Sequence, residues 1–168
     1  MRQPLACISM MAKKVRYKEW LFEVDSEQTI QTYETIESGS PERCTCSNCK
    51  NFKTNRLNIY PQEIISLLTE LGIDYRKEAE IFEIERLKNG LHVYGGWFHF
   101  KGKILEGKDS KIDLGGGGST LDFKEVNSKF RIAFTKGGDL TYFNKNEIQD
   151  LIQVEFIAQT DWVIEKEL

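Results

Sequence analysis

Apolar and polar residues alternate through the first third of the chain in a way that predicts strands. Over residues 15–24 Trp20, Phe22 and Val24 recur every second position, the period of a half-buried strand. Over residues 29–36 Ile30, Thr32, Glu34 and Ile36 oppose Gln31, Tyr33 and Thr35, which predicts a second strand. The polar link Asp25-Ser26-Glu27-Gln28 suits a hairpin connection between the two. A plain loop over residues 37–43 then leads into Cys44-Thr45-Cys46-Ser47-Asn48-Cys49, and residues 51–58 behind it also read as loop.

The period changes after Pro61. Ile64, Ile65, Leu67, Leu68 and Leu71 fall at three- and four-residue steps, Pro61 stands where a helix begins, and Gly72 supplies a left-handed stop. This predicts one main helix over about 61–71, packed on a sheet. From Ala79 the period is two again: residues 81–87 and 91–94 flank Asn89-Gly90, the composition of a tight type I′ hairpin turn. Gly95-Gly96 suggests a bulge or bend, and strand resumes through Trp97-Phe98-His99-Phe100, turns near Lys101-Gly102, and continues at Lys103-Ile104-Leu105. Residues 107–120, with four consecutive glycines, read as a surface loop. A phosphate loop would need Lys directly after the last Gly, where Ser119 stands. Residues 130–135 and 140–143 form a further hairpin candidate around Lys136-Gly137-Gly138-Asp139. A short helix is expected over 144–151, and Ile152, Val154, Phe156 and Ala158 mark a last strand closed by Trp162-Val163.

Hairpins and one helix, without βαβ repetition, give an α+β class dominated by antiparallel sheet. The chain has 168 residues, enough for one domain with a self-sufficient core, here expected over 13–168. Residues 1–12 carry no periodic apolar pattern and read as a disordered tail or a misplaced start, Met11 being an alternative beginning. A net charge of −3 and a pI near 5.6 exclude nucleic acid as the main partner, because a phosphate-tracking surface needs clustered Lys and Arg. No stretch approaches the ~18 apolar residues of a membrane span. A cytoplasmic protein with reduced thiols is the expectation.

The cysteines carry the most specific chemistry. A C-x-x-C pair on a tight turn can bring two sulfurs to one tetrahedral zinc at about 2.3 Å, and Cys44 adds a third to Cys46 and Cys49. The fourth ligand would come from Cys7, His92, His99 or outside the chain. Three readings stay open: free thiols without a role, a soft-metal site with zinc as first candidate, and a redox pair, since Cys46-Ser47-Asn48-Cys49-Lys50 has the C-x-x-C-K form of thiol oxidoreductases.

Tyr94, Trp97 and His99 stand in an aromatic run and are the candidate ligand-binding residues, with His99 as the polar group of a pocket walled by Trp97 and Tyr94. The plainer alternative is a hydrogen-bonded histidine on a half-buried strand. Among the carboxylates, Glu83 and Glu85 lie two apart on a strand and would share a face, as a paired-acid site requires. No catalytic triad, zinc-protease motif or dinucleotide fingerprint is present.

Cys46-x-x-Cys49-x-Asn51-Phe52, Pro61, Leu71-Gly72-Ile73-Asp74, Glu80, Tyr94-x-Gly96-Trp97-x-His99, Gly102, Phe156 and Trp162-Val163 together resemble a family of small bacterial proteins to which no activity is attached. The likeness covers the chain from Cys46 onward. It implies a bacterial cytoplasmic protein and weights Cys46 and Cys49 above Cys44; Thr160-Asp161 departs from it. The functional expectation is a non-enzymatic binding module with a metal-stabilised cysteine cluster and a protein partner. The alternative is an enzyme or ligand binder around His99, Trp97 and Tyr94, or a thiol redox protein.

Overall fold

Lys13–Tyr17 (β1) and Trp20–Val24 (β2) open residues 12–165, the part of the chain that this computed structural model describes. The stretch expected as one strand is itself a hairpin, folded at Lys18-Glu19 with Lys18 at φ 49° and Tyr17 paired to Trp20. Val15, Trp20, Phe22 and Val24 all turn inward. The expected tail and Cys7 lie outside the described residues.

The second expected strand is a helix, Ser26–Glu34 (α1). Asp25 caps it, its Oδ1 accepting the Gln28 amide at 3.0 Å. Asp25-x-x-Gln28 is thus a helix-start signature, which the polar composition disguised as a hairpin link. Its buried residues are Thr29 and Tyr33, four apart. Alternation over so short a run cannot exclude that spacing.

Ser47–Ile59 (α2) and Gln62–Leu71 (α3) follow, then Glu80–Arg86 (β3) and the fifteen-residue His92–Glu106 (β4). In α3 Ile64, Leu67, Leu68 and Leu71 are buried and Gly72 ends the helix at φ 88°, as the sequence predicts. A side chain at Gly72 would also strike the Ser26 carbonyl oxygen at 2.5 Å, so the same glycine lets α1 and α3 approach. The β3–β4 hairpin is present, but its turn is longer than a two-residue type I′. Leu87 donates to Leu91, and Gly90 alone of the three linking residues takes positive φ. That is a type I turn closed by a left-handed glycine.

Lys111–Gly115 (β5) and Gly118–Leu121 (β6) make a separate two-stranded hairpin where a loop was expected. Lys124–Asn127 (β7), Phe130–Lys136 (β8) and Leu151–Thr160 (β9) complete the main sheet in the order β1-β2-β4-β9-β8-β7, with β3 also on β4. All pairings are antiparallel. No strand forms over 140–143, and only a single 3-10 turn, Lys145–Glu147, stands where a short helix was expected. The class is α+β with mostly antiparallel sheet. No helix among the described residues is long and apolar enough to cross a membrane.

β4 runs straight through both places where an interruption was expected. Its register with β9 is regular from His92 to Lys101, so Gly95-Gly96 is no bulge. These glycines make room instead: a Cβ would lie 2.7 Å from the Phe82 ring at Gly95, and 2.6 Å from the Glu80 carbonyl at Gly96. At Gly102 a Cβ would meet the Glu23 carbonyl. One face of the sheet carries Tyr94, Phe98, Phe100, Phe130, Phe134 and Phe156 and packs beneath Phe52 and Tyr60, with Tyr60–Phe156 centroids 5.3 Å apart.

One edge of β4 pairs β3 at one end and β2 at the other, leaving a gap between them. α1 fills it with hydroxyls. The Tyr33 Oη donates to the His99 carbonyl at 3.0 Å and accepts the His99 amide at 3.1 Å, and Thr29 Oγ1 accepts the Lys101 amide at 3.0 Å. Tyr33→Phe therefore leaves a buried amide and carbonyl without partners. The expected loss is about 1–3 kcal/mol in urea unfolding, and an unchanged midpoint would remove the hydroxyl from this role.

Candidate metal centre

The three cysteines occupy a connection fixed at both ends. Before them, a 3-10 turn, Ser40–Arg43, is tied to the strand side: the Ser40 amide donates to the Glu78 carbonyl at 2.9 Å and its Oγ to Glu80 Oε1 at 3.0 Å. From Ser47 onward the chain is α2, which already contains Cys49 and runs on through residues 51–58, where a loop was expected. Its buried positions are Cys49, Asn51, Phe52, Asn55 and Ile59, and two polar members in that row hide the apolar period that would have announced a helix. Cys46 is its N-cap. The thiol replaces the usual hydroxyl or carboxylate, and Sγ accepts the Cys49 amide at 3.4 Å.

Cys44, Cys46 and Cys49 converge, with all three Sγ atoms within 4.8 Å of one another. Cys44 and Cys46 are in contact at 3.1 Å, and the Cys46 amide points at Cys44 Sγ at 3.5 Å. Cys49 is buried, Cys44 half-buried and Cys46 exposed. The amide and thiol hydrogen bonds from Cys46, with a further one from Cys49, hold the Cys44 thiol below its ordinary range. Burial pushes the Cys49 thiol well up, and the neighbouring sulfurs add to it. Among the described residues no His, Asp or Glu joins the group. His92 Nδ1 is 2.7 Å from Glu83 Oε1, its ring lying against Trp162, and His99 is elsewhere.

Tyr94 holds the cluster from below. Its hydroxyl donates to the carbonyl of Asn48, inside the C-x-x-C turn, at 3.0 Å and accepts from Asn51 Nδ2 at 3.2 Å. Asn51 also donates to the Asp161 carbonyl at 3.1 Å and accepts the Val163 amide at 2.7 Å. The cysteine turn, the long strand and the end of the chain thus meet on one asparagine.

Trp97 and His99 do not share a pocket with Tyr94. The regular register puts them on the opposite face of β4, an odd number of residues away. The Trp97 indole donates to the Asp139 carbonyl at 3.1 Å, and its ring meets Phe82. His99 is 1% exposed. Its Nε2 lies 2.9 Å from Gln153 Oε1, which also accepts the Asp139 amide, so Nε2 carries the proton. Burial holds it down at about 4. A bulge between Glu83 and Glu85 breaks their alternation, and Glu83 is engaged with His92 and Arg86.

The buried charge in this region belongs to residues that no motif or spacing singles out together. Glu78 is fully buried and accepts Arg56 Nε and Nη2 at 2.9 Å each, with Tyr60 Oη also at 2.9 Å. Arg56 reaches on to Glu42 at 2.7 Å, linking α2 to the turn that precedes Cys44. Burial pushes the Glu78 carboxyl up, against the pull of the guanidinium. Only two carboxylates and an arginine scattered over 42–78 foreshadow this network.

No family model, curated protein or solved structure matches this chain.

Arg56→Leu strands the Glu78 charge and should cost about 3–5 kcal/mol in urea unfolding, with Arg56→Leu/Glu78→Gln recovering much of it. A single variant as stable as the wild type would show that the pair carries no such burden. His99 gives a pH signature. Its folded value near 4 is below the ordinary 6.5, so the unfolded chain takes up the proton first as pH falls. Stability present above pH 6.5 should decline by up to about 3 kcal/mol on descending to pH 4. Subtracting the profile of His99→Gln from that of the wild type isolates this contribution, and a flat difference would refute it.

Proposed function

We propose that this chain is a small non-enzymatic binding module in which Cys44, Cys46 and Cys49 hold a thiophilic metal ion at the surface of the α+β core, with zinc as the first candidate and another protein as the partner class. The observation that carries this reading is the convergence of the three sulfurs within 4.8 Å at the capped start of α2. The donor set fits: thiolates are the ligands that select zinc and other soft ions, and amide hydrogen bonds to sulfur orient them. Zinc completes four-coordination with a water or a side chain from outside the described residues. The ion would fasten the turn before Cys44 to α2, adding binding energy to the folding energy of that loop.

Protein purified without chelator should carry about one zinc per chain. Cys46→Ser should lose the ion and speed amide exchange over residues 39–50, while the sheet keeps its protection. Cys7→Ser serves as the control for a ligand outside the described residues. Metal-free protein in which Cys44, Cys46 and Cys49 all titrate with a thiol reagent would overturn the reading.

A further inference from the structure

The backbone at Cys44 (φ −103°, ψ 139°) and at Cys46 (φ −70°, ψ 155°) is extended. The Cys44 and Cys46 sulfurs touch at 3.1 Å, with Thr45 exposed between them, so closing an S–S bond of about 2.05 Å asks for a shift of only about 1 Å. Cys49 stands in the first turn of α2 and is buried. The sulfur a dissolved oxidant meets first is Cys46, the exposed one, and its nearest partner is Cys44.

We propose that Cys44 and Cys46 form a redox-modification site for peroxide-class oxidants, and that closing a disulfide between them expels the metal ion; the expulsion rests on the metal reading above. The Cys46 sulfur attacks the O–O bond, takes one oxygen as a sulfenic acid and releases the other as hydroxide. The Cys44 sulfur then attacks the Cys46 sulfur, the S–O bond breaks, and a second hydroxide leaves as the S–S bond forms. The two sulfurs give up two electrons. Peroxide accepts them, and with two protons, from the thiols or from water, becomes two molecules of water. An ion left with Cys49 alone has lost two of its three protein ligands and departs.

The sequence makes the test direct, because Arg43 precedes Cys44 and Lys50 follows Cys49, so one tryptic peptide holds all three cysteines. Zinc-loaded protein is treated with hydrogen peroxide, zinc release is followed with a chromogenic chelator, and the thiols are alkylated before digestion. The expected peptide is two hydrogens lighter than the reduced one and carries its single alkyl group on Cys49, with zinc released in step and rebinding after dithiothreitol. Cys49→Ser keeps the cross-link. Cys44→Ser lowers the rate of disulfide formation in this peptide by about tenfold or more, through loss of the adjoining thiol, and leaves a sulfenic acid on Cys46 for dimedone to trap. An alkyl group on Cys44 beside a Cys46–Cys49 bond, or three alkylated thiols after peroxide, would overturn the proposal. So would zinc that stays bound once the Cys44–Cys46 bond has closed. If the cross-link forms in protein that never held metal, the metal reading fails and the modification site stands.

Discussion

Strand β4 presents fifteen residues of backbone on two edges, and the arrangement of the other elements follows from the need to satisfy them. β9 takes one edge along ten residues. The other is divided among β3, β2 and, between them, the hydroxyls of Tyr33 and Thr29. A helix lying where a strand would otherwise be demands side chains that donate or accept as the strand edge requires, and the hydroxyls of Tyr33 and Thr29 can do both. Because the pairing with β9 is regular from His92 to Lys101, alternation is preserved across that stretch. That alternation fixes Tyr94 under the cysteine turn and sends Trp97 and His99 to the opposite face.

The Arg56–Glu78 pair extends the same logic to charge. Taking a carboxylate fully out of water is unfavourable unless nearly all its lone pairs are met. Glu78 receives two guanidinium bonds and one phenol, while its backbone carbonyl accepts Tyr142 Oη at 2.6 Å and the Ser40 amide. The gain is geometric: three segments remote in sequence are brought to one point, and each fixes the approach to Cys44. Hydrophobic contact alone would permit sliding there, since the turn Ser40–Arg43 buries only Pro41.

Strands in which large apolar residues alternate over long runs, and the helix with a Pro start and Gly stop, were legible in the sequence because one physical signal dominated each. α3, the β3–β4 hairpin and β9 are of this kind. α1 was not, since a nine-residue helix with two buried residues offers no more periodicity than a strand would. α2 escaped for a different reason. Asn51 and Asn55 occupy buried positions as hydrogen-bonding groups, so the inward face reads as polar. The convergence of the cysteines was half visible: extended C-x-C and helical C-x-x-C each have a defined geometry, but their junction depends on Cys46 being the N-cap. The separation of Tyr94 from His99 was hidden by a glycine pair that looked like a break and instead admits the Phe82 and Phe156 rings.

Three sulfurs so close set a condition of their own. If all were thiolates, each pair would repel by about 4 kcal/mol at 4 Å in a medium of effective dielectric constant 20. The amides of Cys46 and Cys49 offset only part of that, being two dipoles against three charges. The cluster must therefore keep protons on some of its thiols, surrender electrons in a disulfide, or take up a cation. Burial favours the first for Cys49, and the contact between Cys44 and Cys46 favours the second for that pair. A divalent cation is the one occupant that satisfies all three sulfurs together, because its charge reverses the repulsion that otherwise separates them. Retained protons leave the convergence without an energetic use, whereas the proposed metal ion would engage all three sulfurs and the proposed disulfide two of them, so one geometry underlies both proposals.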